Sequence, residues 1–132
     1  MRLIVDTNVW VSAFLTPGGT PAQLLHEVER DRLTLVYSPQ IEAEYREVLF
    51  RPKFNINPDF LAEFFARLED DGQRITPAPI PHSKLPDPDD APFIATALAA
   101  NCPIVTGNAR HFPAGYGVEI LSPAQCLARL IG

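Results

Sequence analysis

Cysteine is scarce in this chain. Cys102 and Cys126 are the only two, without close metal-ligand spacing and too few for a disulfide framework. They read as the reduced thiols of a cytoplasmic protein. Long apolar runs are missing too. Nothing approaches the roughly 20 residues that span a bilayer, and Leu3-Ile4-Val5, directly after Met1-Arg2, is too short for the core of a signal peptide. No membrane contact is expected. Basic charge is in the minority: 11 Lys and Arg face 16 Asp and Glu, a formal net charge of −5. That argues against non-specific duplex binding, which needs a global basic footprint. It leaves a nuclease open, because bound cations reverse the field of an acidic pocket locally, and it suits a basic protein partner. Several signatures are also lacking. No G-x-G-x-x-G follows the first apolar run, which discounts dinucleotide binding, and there is no G-K-[ST] of a P-loop. Asn8 stands where a phospho-aspartyl phosphatase has its second aspartate. No serine or cysteine sits in a nucleophile elbow.

What remains is a globular profile, 46% hydrophobic and 20% charged. With 132 residues the chain makes one domain, 1–132, large enough to bury a core without staples. Its fourteen prolines are ordered rather than scattered. Thr20-Pro21, Ser38-Pro39, Asn57-Pro58, Asp87-Pro88 and Ser122-Pro123 each pair a good N-cap with proline at the first helical position. Gln23 and Gln125 complete the capping-box spacing after Thr20 and Ser122. Between these helix starts lie short apolar runs at 3–5, 33–37, 74–76, 104–106 and 118–121. Strands alternating with helices predict an α/β fold with a parallel sheet, and runs that are apolar throughout predict strands buried on both faces. The helix from Pro58 carries Phe60, Leu61, Phe64, Phe65 and Leu68 and ends near Gly72. Core packing is the main use of that face, and a subunit interface the alternative. The prolines from Pro77 to Pro92 mark a surface connection.

The chemistry lies with the acids. Asp6 ends the first apolar run, and a buried strand that stops at a carboxylate places it at the sheet's C-terminal edge, where open α/β sheets bind ligands. The bland alternative for Asp6-Thr7-Asn8 is a strand-to-helix turn with Asp or Asn as the cap. On the helix from Ser38, Glu44 flanks the stripe of Ile41 and Val48. Glu42 neighbours Tyr45 and Leu49 at similar spacing, and periodicity alone does not choose between them. Asp87-Pro88-Asp89-Asp90 fits a helix N-terminus, where acids meet the positive end of the dipole, yet three carboxylates in four residues exceed what a cap requires. Pro92 moves that helix start toward Asp89. Thr106 and Asn108 follow the strand at 104–106, with His111 just beyond. Arg110, Arg51 and Lys53 are candidates for phosphate contact. Were these acids to meet, they would repel one another unless a divalent cation lay among them. That is the composition of a metal-dependent phosphodiesterase.

The motifs also have an order. Val5-Asp6-Thr7-Asn8-Val9, Ser38-Pro39 with Glu44-Tyr45, Val48-Leu49 and Arg51-Pro52-Lys53-Phe54, Asp87-Pro88-Asp89-Asp90 with Phe93-Ile94-Ala95, and Val105-Thr106-Gly107-Asn108 with His111-Phe112 closely resemble the PIN-domain nucleases. The resemblance extends over the whole chain to Ile120-Leu121-Ser122-Pro123. The branch it is most similar to holds the toxin components of bacterial toxin–antitoxin pairs, the VapC-like ribonucleases.

The resemblance implies a three-layer α/β/α fold with an acidic pocket at the C-terminal edge of a central parallel sheet. The family's acids fall on Asp6, Glu44 and Asp90, and its strand-terminal hydroxyl on Thr106. Asn108 departs from the pattern, since many PIN domains carry an aspartate there. In this scheme Asp6 and Asp90 ligate a Mg²⁺ or Mn²⁺ ion, Glu44 ligates a second or orients the attacking water, and Asn108 completes the outer shell, with Arg110 and Arg51 on the substrate. The implied activity is hydrolysis of RNA, with a cognate antitoxin and a homodimer as partners. The alternatives are a catalytically degenerate RNA- or protein-binding module and an RNA-processing nuclease that is not a toxin.

Overall fold

The structure is a computed structural model that describes residues 1–78, 88–109, 112 and 117–131. Asp87, Arg110 and His111, and most of the proline-rich connection, lie outside the described residues. Four of the expected runs hold the strands β1 (Arg2–Val5), β2 (Thr34–Tyr37), β4 (Ile104–Val105) and β5 (Ile120–Leu121), whereas β3 (Gln73–Arg74) overlaps the run at 74–76 only at Arg74 and, as an edge strand, is exposed at both residues. They form one parallel sheet in the order β3-β2-β1-β4-β5. Leu3, Ile4 and Val5 are all fully buried. Successive strand side chains point to opposite faces, so helices must cover both, giving three layers with β1 at the centre.

Six helices supply that cover among the described residues: α1 (Thr7–Leu15), α2 (Thr20–Glu29), α3 (Pro39–Leu49), α4 (Pro58–Asp71), α5 (Ala91–Ala100) and α6 (Pro123–Ile131). Three expected starts carry the side-chain bond that their sequence announces. Ser38 Oγ accepts from Ile41 N–H at 3.2 Å, and Asn57 Oδ1 from Asp59 N–H at 2.9 Å. Ser122 and Gln125 close a reciprocal capping box, at 3.1 and 2.8 Å.

Two starts differ. At Thr20 the helix begins one residue earlier than its capping box requires: Gly19 is the cap, Thr20 is already helical, and no side chain bonds the first turn. Proline at the second helical position is equally tolerated, because that N–H has no partner inside the helix anyway. At the acidic cluster, Pro88–Asp90 forms a 3-10 turn and α5 begins only at Ala91, with Asp90 as its cap. The shift puts Pro92 within the first turn, which resolves its misfit. Helix α1 has no Ser/Thr-Pro signal at all, and its cap position is Asp6.

Leu61, Phe64, Phe65 and Leu68 of α4 join the core with Trp10, Tyr45 and Leu49, while Phe60 stands 58% exposed. Gly72 ends α4 in an extended conformation rather than the left-handed one common at helix ends. Its need is for space: a Cβ there would lie 2.4 Å from the Leu68 carbonyl oxygen.

Candidate active site

The sheet order places β2 on one side of β1 and β4 on the other. Connections therefore diverge between β1 and β4, which opens a crevice at the C-terminal ends of these two strands. Register pairs Val5 with Val105, so the following residues, Asp6 and Thr106, stand side by side. Thr106 Oγ1 donates to Asp6 Oδ2 at 2.8 Å. The same hydroxyl oxygen accepts the backbone N–H of Asn108 at 3.1 Å. Asp6 N–H donates to the Val105 carbonyl at 2.9 Å, so the aspartate is carried on backbone fixed in the sheet. Although Asp6 is the cap residue of α1, its side chain makes no capping bond. The capping account of this turn is thus corrected: the carboxylate is turned across the crevice to the neighbouring strand.

Glu44 reaches the crevice from α3. The stripe Ile41, Tyr45 and Leu49 is buried and fixes the helix's rotation. Glu44 then accepts a hydrogen bond from Thr7 Oγ1, one residue beyond Asp6. Burial pushes the Glu44 carboxyl above its ordinary range; the Thr7 hydroxyl opposes this, and the charges of Asp6, Asp89 and Glu47 add to it. Carboxylates from β1, α3 and the turn before α5 thus share one field. Glu42 takes no part, since Arg46 holds it at 2.9 Å. On the 3-10 turn, the charge of Asp89 reaches Glu44, and Asp90, 9% exposed, sits at the N-cap of α5.

The basic candidates are less concentrated. Arg51 forks onto Glu47, with its closest contact at 2.7 Å, and Lys53 lies 5.1 Å over the Phe54 ring. Arg110 and His111 fall outside the described residues. Asn108 is exposed and is placed by its backbone bond to Thr106. Sequence reasoning passed over two participants. Thr7 was legible only as part of a turn. Tyr45 was legible as a core position, and the sign overlooked is that a buried phenol needs a hydrogen-bond partner. Here its hydroxyl donates to the Val5 carbonyl.

The oxygen-only donor set, carboxylates with the hydroxyls of Thr7 and Thr106, suits a hard divalent cation such as Mg²⁺ or Mn²⁺ and offers nothing to a soft metal. Among the described residues no group of three or more Asp, Glu, His or Cys side chains lies close enough together to hold a metal ion. Mg²⁺ needs none, because it keeps several waters and is held by one or two carboxylates. Both thiols are buried, and burial pushes each pKa up, so neither is poised as a ligand.

Comparisons with known proteins place the family and the fold. A family model described as PIN domain matches residues 2–110. A chain of the crystal structure of VapBC2 from Rickettsia felis bound to a DNA fragment from their promoter superposes with a TM-score of 0.60 at 20% identity, covering 92% of this chain and 98% of that one. A chain of FitAcB from Neisseria gonorrhoeae superposes with a TM-score of 0.55 at 20% identity, with the same 92% and 98% coverage. No curated protein sequence matches.

Proposed function

The chain belongs to the PIN domain family, and we propose that it is a single-domain, Mg²⁺- or Mn²⁺-dependent endoribonuclease, the VapC-like toxin of a toxin–antitoxin pair acting in the cytoplasm. The observation that carries this reading is the placement of Asp6. It leaves its own helix cap for Thr106 at the switch point of the sheet, within the field shared by Glu44 and Asp89.

Asp6 and Asp90 would hold the cation, with Asp89 adding charge and Glu44 holding a second ion or orienting water. When bound, such an ion acidifies a water and offsets the charge that develops on the phosphate. Thr106 fixes the Asp6 carboxylate through its hydroxyl. Glu44, whose carboxyl is already held above its usual range, is suited to accept a proton from the attacking water. Arg51 and Arg110 are the candidates for substrate phosphates, and Asn108 for the outer shell. Single-stranded or looped RNA is the fitting substrate, because splayed phosphates enter a narrow crevice more readily than a duplex does.

The antitoxin has a candidate seat away from the crevice. A groove of about 580 Å³ between α1, α2 and α4 is lined by Phe14, Phe60 and Phe64. Its lining also includes Glu29, Glu63, Asp70 and Asp71 with Arg67, and Arg67 already pairs with Asp31 and Asp71. An amphipathic segment with basic flanks matches both features. The homodimer belongs to the same reading and rests on family likeness. The deciding experiment is Mn²⁺ calorimetry combined with cleavage of single-stranded RNA by the wild type and Asp6→Asn. Saturable binding and cleavage in the wild type, both lost in a folded Asp6→Asn protein, support the nuclease. A wild type that binds no Mn²⁺ and cuts no RNA returns the degenerate binding module.

A further inference from the structure

Glu44 and Tyr45 are consecutive on α3, and each bonds a different neighbour of Asp6. Glu44 accepts from Thr7 Oγ1, and the Tyr45 hydroxyl donates to the Val5 carbonyl. Asp6 is therefore bracketed, one bond on each side, by the dipeptide that contains the opposing carboxylate. The Tyr45 side of the bracket is rigid. Its ring is 2% exposed and packs edge-on against Phe64 with centroids 6.3 Å apart. The phenol oxygen thereby joins α3 to the last residue of β1.

We propose that Tyr45 is a positioning residue of the metal site, holding the Glu44 segment in register with Asp6 through the Val5 carbonyl against the mutual repulsion of the two carboxylates. The proposal rests on the metal-nuclease reading. Burial keeps the phenol protonated, its pKa pushed far up, so this donor does not titrate away at working pH. Partners that orient ligands without touching the metal are typically worth ten- to a hundredfold in metal affinity or activity.

The test compares Tyr45→Phe, which keeps the ring and removes only the hydroxyl, with Val28→Ala, a buried core change on α2 away from the site. In Tyr45→Phe, Mn²⁺ affinity is expected to fall about tenfold and kcat on RNA by a similar factor, with KM unchanged. Without metal, the amides of Asp6 and Val9, bonded to Val105 O and Asp6 O, are expected to exchange with solvent about tenfold faster relative to those of α2. Val28→Ala should lower Tm and change none of these. If the wild type binds Mn²⁺ and Tyr45→Phe binds it equally well, the proposal is overturned, whatever the exchange rates do. If the wild type binds none, the metal reading itself fails, and unchanged exchange at Asp6 and Val9 then removes the bracket as well.

Discussion

Thr106 donates its hydroxyl to Asp6 across 2.8 Å, although one hundred positions of sequence separate them. The parallel pairing of β1 with β4 makes this contact, since each residue immediately follows its strand and the strands end in register. Replacing Thr106 with Val keeps the branched shape and removes the bond, leaving Asp6 Oδ2 without that donor and Asn108 N–H without its acceptor. The expected result is a stability loss of about 1–2 kcal/mol and a fall in kcat of at least about tenfold. Thr106→Ser should recover most of the activity. Full activity in the Val variant would show that the Asp6 rotamer is set elsewhere.

Glu44 gives a pH signature. Its carboxyl is raised in the folded protein, chiefly by burial, and returns to its ordinary range on unfolding. The folded state therefore binds this proton more tightly. The associated stability is fully present below the ordinary glutamate range and is lost as pH rises through the higher folded value. Glu44→Gln keeps an acceptor for Thr7 and carries no charge. Without metal it is expected to melt above the wild type at neutral pH, with the gap closing as pH falls into the ordinary glutamate range. Adding Mn²⁺ should favour the wild type and reverse the order, because only the charged residue gains from the cation. Thermal scans at several pH values, with Mn²⁺ and with chelator, measure both effects.

The two glutamates of α3 separate cleanly. Glu42 is held by Arg46, which also reaches Glu69 at 2.8 Å and lies over the Phe65 ring. Glu42→Gln is expected to leave RNA cleavage within about twofold and to cost no more than about 1 kcal/mol, the range of such surface pairs. Glu44→Gln is expected to lower cleavage by about a hundredfold or more. Parallel assays on the two variants check this, and equal losses would contradict the geometry.

The two capping-box sequences give a contrast in stability. Ser122→Ala breaks a reciprocal pair of bonds and should cost about 1 kcal/mol. Thr20→Ala should fall within about 0.5 kcal/mol of the wild type, since Gly19 is the cap there. Urea titration of both variants distinguishes them without reference to activity.

Much of the architecture was readable along the chain because its determinants are local. Ser38, Asn57 and Ser122 announce helices with side chains that bond two or three residues ahead. The runs ending at Val5 and Tyr37 announce buried strands by being apolar throughout. Where a local sign misled, at Thr20, a neighbouring glycine served equally well as a cap. Where no sign existed, at α1, the helix is set by packing, and Val9, Trp10 and Ala13 are buried in it.

By itself, the sequence determined the alternation of strand and helix, and the carboxylate that closes the first strand. Those follow from hydrophobic period and from bonds within a turn of chain. The tertiary structure decided which glutamate faces Asp6, that Asp6 serves Thr106 and not its own helix, and that Glu44 and Tyr45 bond the residues on either side of it. Each of these depends on strand register and helix rotation, which only the packing of distant residues fixes.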